Sequence, residues 1–90
     1  MIQIRLRYFA SLRDIVGIPE ERLTLEEQTR IADIRVLLEQ RYPALQAVLA
    51  RSVSAVNHRY VQPETILNDG DEVVFIPPTG GGRAWNRSFN

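Results

Sequence analysis

Ile2, Ile4 and Leu6 alternate with Gln3, Arg5 and Arg7 at the start of the chain, the period-two pattern of a strand with one packed face and one wet face. Tyr8-Phe9 end that strand. Ala10 to Val16 then suit a short helix, with Leu12, Ile15 and Val16 turned inward and Arg13 and Asp14 outward. Gly17 is placed to cap this helix, and Pro19 prevents its continuation. Leu23 and Leu25 alternate with Arg22, Thr24 and Glu26, predicting a second amphipathic strand that can pair with the first in either direction. Thr29 is the expected N-cap of the main helix. Within it Ile31, Ile34, Leu37, Leu38 and Tyr42 recur at helical spacing, with Arg30, Asp33, Arg35, Glu39 and Gln40 on the other side. Pro43 stops the main helix, and Leu45, Val48 and Leu49 predict one more short helix reaching Arg51.

Past Arg51 the period returns to two. Val53, Ala55 and Val56 form a strand, Asn57-His58-Arg59 a turn, and Tyr60-Val61 a short strand. Pro63-Glu64-Thr65 is a loop, and Ile66 and Leu67 are expected to tuck under the core. Asp69-Gly70 is a turn pair, leading into the apolar run Val73-Val74-Phe75-Ile76, a strand with much of its surface covered. Pro77 cannot donate to a ladder, and Pro78 biases its neighbour to extended backbone. The predicted order is strand, strand, helix, strand, short strand, strand. An α+β fold follows: a mixed sheet of four to five strands with one main helix packed on one face.

Thr79-Gly80-Gly81-Gly82 carries almost no side chain. A glycine run usually means a flexible linker. Directly after a strand ending in Pro-Pro, it is also a thin probe: Pro77 to Gly82 spans about 20 Å when extended, and its last three residues can thread a channel too narrow for a Cβ.

Composition narrows the chemistry. Ninety residues make one domain, and the apolar fraction of 44% and charged fraction of 24% are those of an ordinary soluble protein. No apolar run approaches the ~20 residues of a membrane span, and the start lacks a secretory signal, so a cytoplasmic location away from membranes is expected. With no cysteine, the chain has no disulfide, thiol nucleophile or persulfide. Residues 1–82 hold nine arginines and eleven carboxylates, and Arg83 and Arg87 restore neutrality. No basic stripe with interleaved aromatics occurs, which argues against nucleic acid. Every basic residue is arginine, a pattern ascribed to genomic base composition. It leaves an activated Gly82 no lysine amine on its own chain.

His58, the single histidine, is expected at an exposed turn and cannot supply the three or four ligands of a metal site. The carboxylate pairs Glu20-Glu21, Glu26-Glu27 and Asp71-Glu72 read as solvated, because a catalytic pair needs one member desolvated. No serine has a nucleophile-elbow context. Independent catalysis, a bound cofactor and a metal are therefore not expected.

Three motifs in order carry a resemblance. Tyr8-Phe9-Ala10-Ser11-Leu12-Arg13, then Ala55-Val56-Asn57 with Tyr60-Val61, then Asp69 to Gly82 resemble the small subunits of molybdopterin synthase, ubiquitin-like sulfur carriers of the β-grasp family. The resemblance covers residues 1–82. It implies a β-grasp domain over residues 1–78 and a tail at 79–82. In that family the C-terminal glycine, here Gly82 preceded by Gly80 and Gly81, is adenylated and becomes a thiocarboxylate. The implied partners are an adenylating enzyme that uses ATP and the large synthase subunit, in a heterotetramer. Phe9, Tyr60 and Ile76 match family positions that contact both partners. Lying near strand ends, the three can share the outer sheet face as a partner patch, although large apolar residues are more often core. The chain departs from the family by continuing past Gly82, from Arg83 to Asn90. A peptide-bonded Gly82 has no carboxylate to activate, so the function would need residues 83–90 removed, by a processing protease if they are native. Two alternatives remain open: an interaction module whose Trp85 and Phe89 anchor a partner, and a carrier for another thiolation pathway, such as thiazole or thionucleoside synthesis.

Overall fold

The first and last strands meet at the centre of the sheet. In the computed structural model, which describes residues 1–78, β1 (Ile2–Arg7) runs parallel to β5 (Glu72–Ile76), pairing Arg5 with Glu72, Leu6 with Val73 and Arg7 with Val74. β2 (Glu20–Leu25) lies antiparallel on the outer side of β1. β3 (Val53–Val56) is antiparallel to β5, and β4 (Arg59–Val61) closes the other edge. The strand order is β2-β1-β5-β3-β4, a β-grasp sheet. Gly80, Gly81, Gly82 and the 83–90 segment lie outside the described residues.

One face is dry. Ile2, Ile4, Leu6, Leu23, Val73 and Phe75 from the sheet meet Ile31, Ile34 and Leu38 of α2 (Ile31–Arg41). Leu12 of α1 (Ala10–Val16) and Leu49 of α3 (Gln46–Arg51) close the two ends. Pro43–Leu45 forms a single 3-10 turn after α2, with Leu45 buried. Truncating a fully buried leucine such as Leu38 would cost about 2–5 kcal/mol. No helix among the described residues is long and apolar enough to cross a membrane.

Local signals largely hold. Gly17 ends α1 with φ of 92°, its N–H donating to the Arg13 carbonyl at 2.8 Å. Asn57 and His58 both have positive φ, 51° and 69°, as a two-residue type I′ hairpin loop requires.

Three expectations about the elements fail. Ile15 is exposed, because α1 is short and only Leu12 faces fully inward. Ile66 is exposed while Leu67 is buried; Ile66 instead makes an isolated bridge to Arg30. Thr29 does not cap α2. Its hydroxyl donates to the Glu26 carbonyl at 2.6 Å, and Arg30 is the capping residue. The first amides of α2 need no side-chain cap: Ile31 N–H donates to the Thr65 carbonyl and Ala32 N–H to that of Pro63. Asp33 accepts the Arg30 N–H at 2.9 Å.

Tyr8 is almost wholly buried, and its phenol donates to the Glu21 carboxylate, which also meets Arg41 Nη1 at 3.5 Å. This joins β1, β2 and the end of α2. Burial, and then the bond to Glu21, push the Tyr8 phenol well above its ordinary value of 10.0. Above about pH 10 the unfolded chain gives up this proton while the folded chain keeps it, so stability falls as pH rises. Tyr8→Phe should lower stability near neutral pH by about 2 kcal/mol and reduce the alkaline loss. Urea titrations between pH 7 and 11 check both; an unchanged alkaline slope in the variant would remove Tyr8 as its source.

Candidate functional site

The helices leave the other sheet face open, and this face is divided. On the β2–β1 side it carries Arg22, Arg5 and Arg7; on the β3–β4 side it carries Val53, Ala55 and Tyr60, with Glu72, Val74 and Ile76 of β5 between. The division follows from alternation: inward residues of β1 are apolar and outward ones polar, whereas β5 is apolar on both sides after Glu72.

Phe9, Tyr60 and Ile76 come together here. Phe9 follows β1 in extended conformation, and the parallel β1–β5 pairing brings the ends of those strands to the same side. Tyr60 stands opposite Ala55, which pairs with Val74. The three line one concavity of about 450 Å³, with Val74 and Pro77 contributing apolar surface. Phe9 is 42% and Tyr60 61% exposed, too much for core residues of an isolated domain. A larger hollow of about 540 Å³ lies towards α2 and α3, lined by Ala32, Arg35, Leu49 and Pro63 among others, and it shares Tyr60. It contains neither Phe9 nor Ile76.

The rim of the concavity holds a charged cluster absent from the sequence expectations. Glu72 is not solvated. Its side chain is 9% exposed and takes Arg5 Nη2 at 2.9 Å and Arg7 Nη1 at 3.3 Å on Oε2, with His58 Nε2 3.5 Å from Oε1. Asp71 is buried too, accepting Asn57 Nδ2 at 2.9 Å and the Asn68 N–H at 2.7 Å. Asn57 Oδ1 in turn accepts the Glu72 N–H at 3.0 Å. Both carboxylates were expected on a wet face, but the β1–β5 register lays arginines over one and the hairpin asparagine over the other. The available signal was Arg5 and Arg7 on the polar side of β1 with an acid opening the last strand. Arg7 also lies over the Phe9 ring, 5.0 Å from its centroid, a cation–π distance. His58 sits on the exposed turn expected for it, and no cluster of three or more metal-ligating side chains occurs among the described residues.

The described residues end just past β5. Pro77 is buried beside Ile76, and Pro78 is exposed. The described residues thus present a largely apolar hollow bordered by paired charges.

A family model matches residues 6–82. The chain belongs to the ThiS family. It is 37% identical over 83 residues to the molybdopterin synthase sulfur carrier subunit of Chlamydomonas reinhardtii, a match covering 90% of this chain and all of that one. The Mycobacterium tuberculosis protein of the same description is 35% identical, covering 91% and 100%. Among solved structures, a putative molybdopterin converting factor subunit 1 from Pyrococcus furiosus superposes with a TM-score of 0.79 at 30% identity, covering 88% and 100%. This ThiS-family chain therefore shares sequence and fold with sulfur carriers along nearly its whole length.

Ala10, on the lip of the concavity, has φ of 50°, a left-handed conformation that costs a residue with a Cβ about 1–2 kcal/mol. Glycine relieves that strain and loses about 0.5–1 kcal/mol to chain entropy. Ala10→Gly should therefore be neutral to slightly stabilising, and Ala10→Val clearly destabilising. Thermal melts of the two variants check the assignment; equal losses from both would contradict it.

Proposed function

We propose that this chain is the sulfur-carrier subunit of a molybdopterin synthase, carrying sulfur as a thiocarboxylate on Gly82. What supports it most is where the family match ends: its last residue, Gly82, is the last of the three glycines following β5 and Pro77-Pro78. The domain over residues 1–78 is the handle and residues 79–82 are the probe. An adenylating enzyme uses ATP to join the Gly82 carboxylate to AMP, releasing pyrophosphate and creating a good electrophile. A sulfur donor displaces AMP, leaving the thiocarboxylate. Its sulfur then attacks the precursor pterin within the large subunit, which supplies the acid–base groups. This chain is thus a consumed and recharged reagent in the cytoplasm, with no catalysis of its own and no bound cofactor.

Docking to both partners uses Phe9, Tyr60 and Ile76, since apolar and aromatic residues dominate interface cores. Tyr60→Asp sets a charge in a patch that docking desolvates and, at a largely exposed position, should spare the fold. Binding to the large subunit, measured by calorimetry, should weaken about 100-fold; unchanged affinity would remove Tyr60 from the interface.

Residues 83–90 must come off before activation, because their peptide bond occupies the Gly82 carboxylate. A chain ending at Gly82, mixed with the activating enzyme and ATP, should support pyrophosphate exchange, and the 90-residue chain should not until it is cleaved. Equal exchange from both, with residues 83–90 intact by mass, would overturn the requirement. No exchange from either would favour an interaction module.

A further inference from the structure

The charged rim has no part in tail chemistry, and its geometry is lopsided. Arg5 and Arg7 both donate to one oxygen of Glu72, whose side chain is 9% exposed, while their own side chains remain 48% and 39% exposed. One buried negative charge thus holds two half-exposed positive ones. Arg22 stands beside Arg5 on the same face, with Glu20 beside Arg7. Each guanidinium has five N–H donors, and the structure uses one from each of Arg5 and Arg7 on Glu72. Arg7 lines the apolar concavity and is tied to its wall by the contact with Phe9, and Arg5 joins it through the shared Glu72 carboxylate.

A protein seated on this face must cover those guanidiniums. A cationic group there would meet net positive charge, and a neutral apolar one would strip water, without compensation, from donors that have no partner among the described residues. A carboxylate fits, because guanidinium and carboxylate match in charge and fork geometry. We propose that the partner surface filling the concavity with an apolar side chain also places an acidic side chain against Arg5 and Arg7, and that Glu72 is the positioning residue holding both guanidiniums ready for it. The proposal rests on the docking role given above to Phe9, Tyr60 and Ile76. The apolar anchor supplies most of the affinity, and the charged contact sets register and speeds encounter.

The test is calorimetric titration of the large synthase subunit from the same organism with the chain ending at Gly82, at low and at high salt. Arg5→Gln and Arg7→Gln should each weaken binding about tenfold at low salt and flatten its salt dependence. Arg41→Gln, which removes the same charge at the end of α2 and away from the concavity, should change neither. Glu72→Gln separates positioning from net charge. It makes the rim more positive, so a bulk charge effect would tighten binding, whereas loss of positioning weakens it. Wild-type affinity and salt dependence in both arginine variants, with Tyr60→Asp still defective, would overturn the acidic contact and leave the docking role standing. Tighter binding by Glu72→Gln would overturn the positioning role. No binding by the wild-type chain would overturn both the docking role and the acidic contact. Should Glu72→Gln fail to fold, the arginine variants decide the acidic contact and Glu72→Asp the positioning role, through partial recovery of affinity.

Discussion

The parallel pairing of β1 with β5 is the constraint on which the rest depends. It joins residues 67 positions apart, Arg5 and Glu72, and its register decides what each sheet face presents. Leu6 and Val73 point into the core at 0% exposure, while Arg5 and Arg7 cross over Glu72 outside. A slip of one residue would turn Leu6 outward and bury an arginine, so the register is held by hydrophobic burial on one side and ion pairing on the other. The Asp69-Gly70 turn reinforces it: Asp69 accepts the Gln3 N–H at 2.7 Å, and Gly70 N–H donates to the Gln3 carbonyl at 2.7 Å.

From that pairing the site follows. Parallel strands end on the same side, so Phe9 after β1 and Ile76 at the end of β5 approach each other. The β3–β4 hairpin then brings Tyr60 across. The hairpin is itself fastened to β5 through Asn57, whose amide bridges Asp71 and the Glu72 backbone. An apolar concavity, a charged rim and the point where the chain leaves β5 thereby share one end of the sheet.

The elements themselves were legible because their causes are local. Alternation in β1 and β2, the 3.6-residue stripe of α2, Gly17 at a helix end and the Asn57-His58 turn each depend on neighbours within a few positions. Phe9, Tyr60 and Ile76 could be proposed as a patch because the three fall near strand ends and match family positions, and the structure gathers them around one concavity. Glu72 and Asp71 could not be read this way. An acidic pair looks solvated until the strands across from it are known, and here the partners are Arg5, Arg7 and Asn57. Thr29 misled for a related reason. Its capping chemistry is genuine, but carbonyls from the Pro63–Thr65 loop had already satisfied the α2 amides.

The sequence by itself determined the order of elements, the two-sided character of β1 and α2, and a glycine tail after a proline-terminated strand. Each is set by backbone stereochemistry and hydrophobic period, which act over a few residues. Only the tertiary structure decided that β1 and β5 run parallel at the sheet centre, that Tyr8 is buried on Glu21, and that a buried Glu72 holds two arginines beside the concavity. Those outcomes depend on burial and charge between residues distant in the chain, which become neighbours only once the fold has closed.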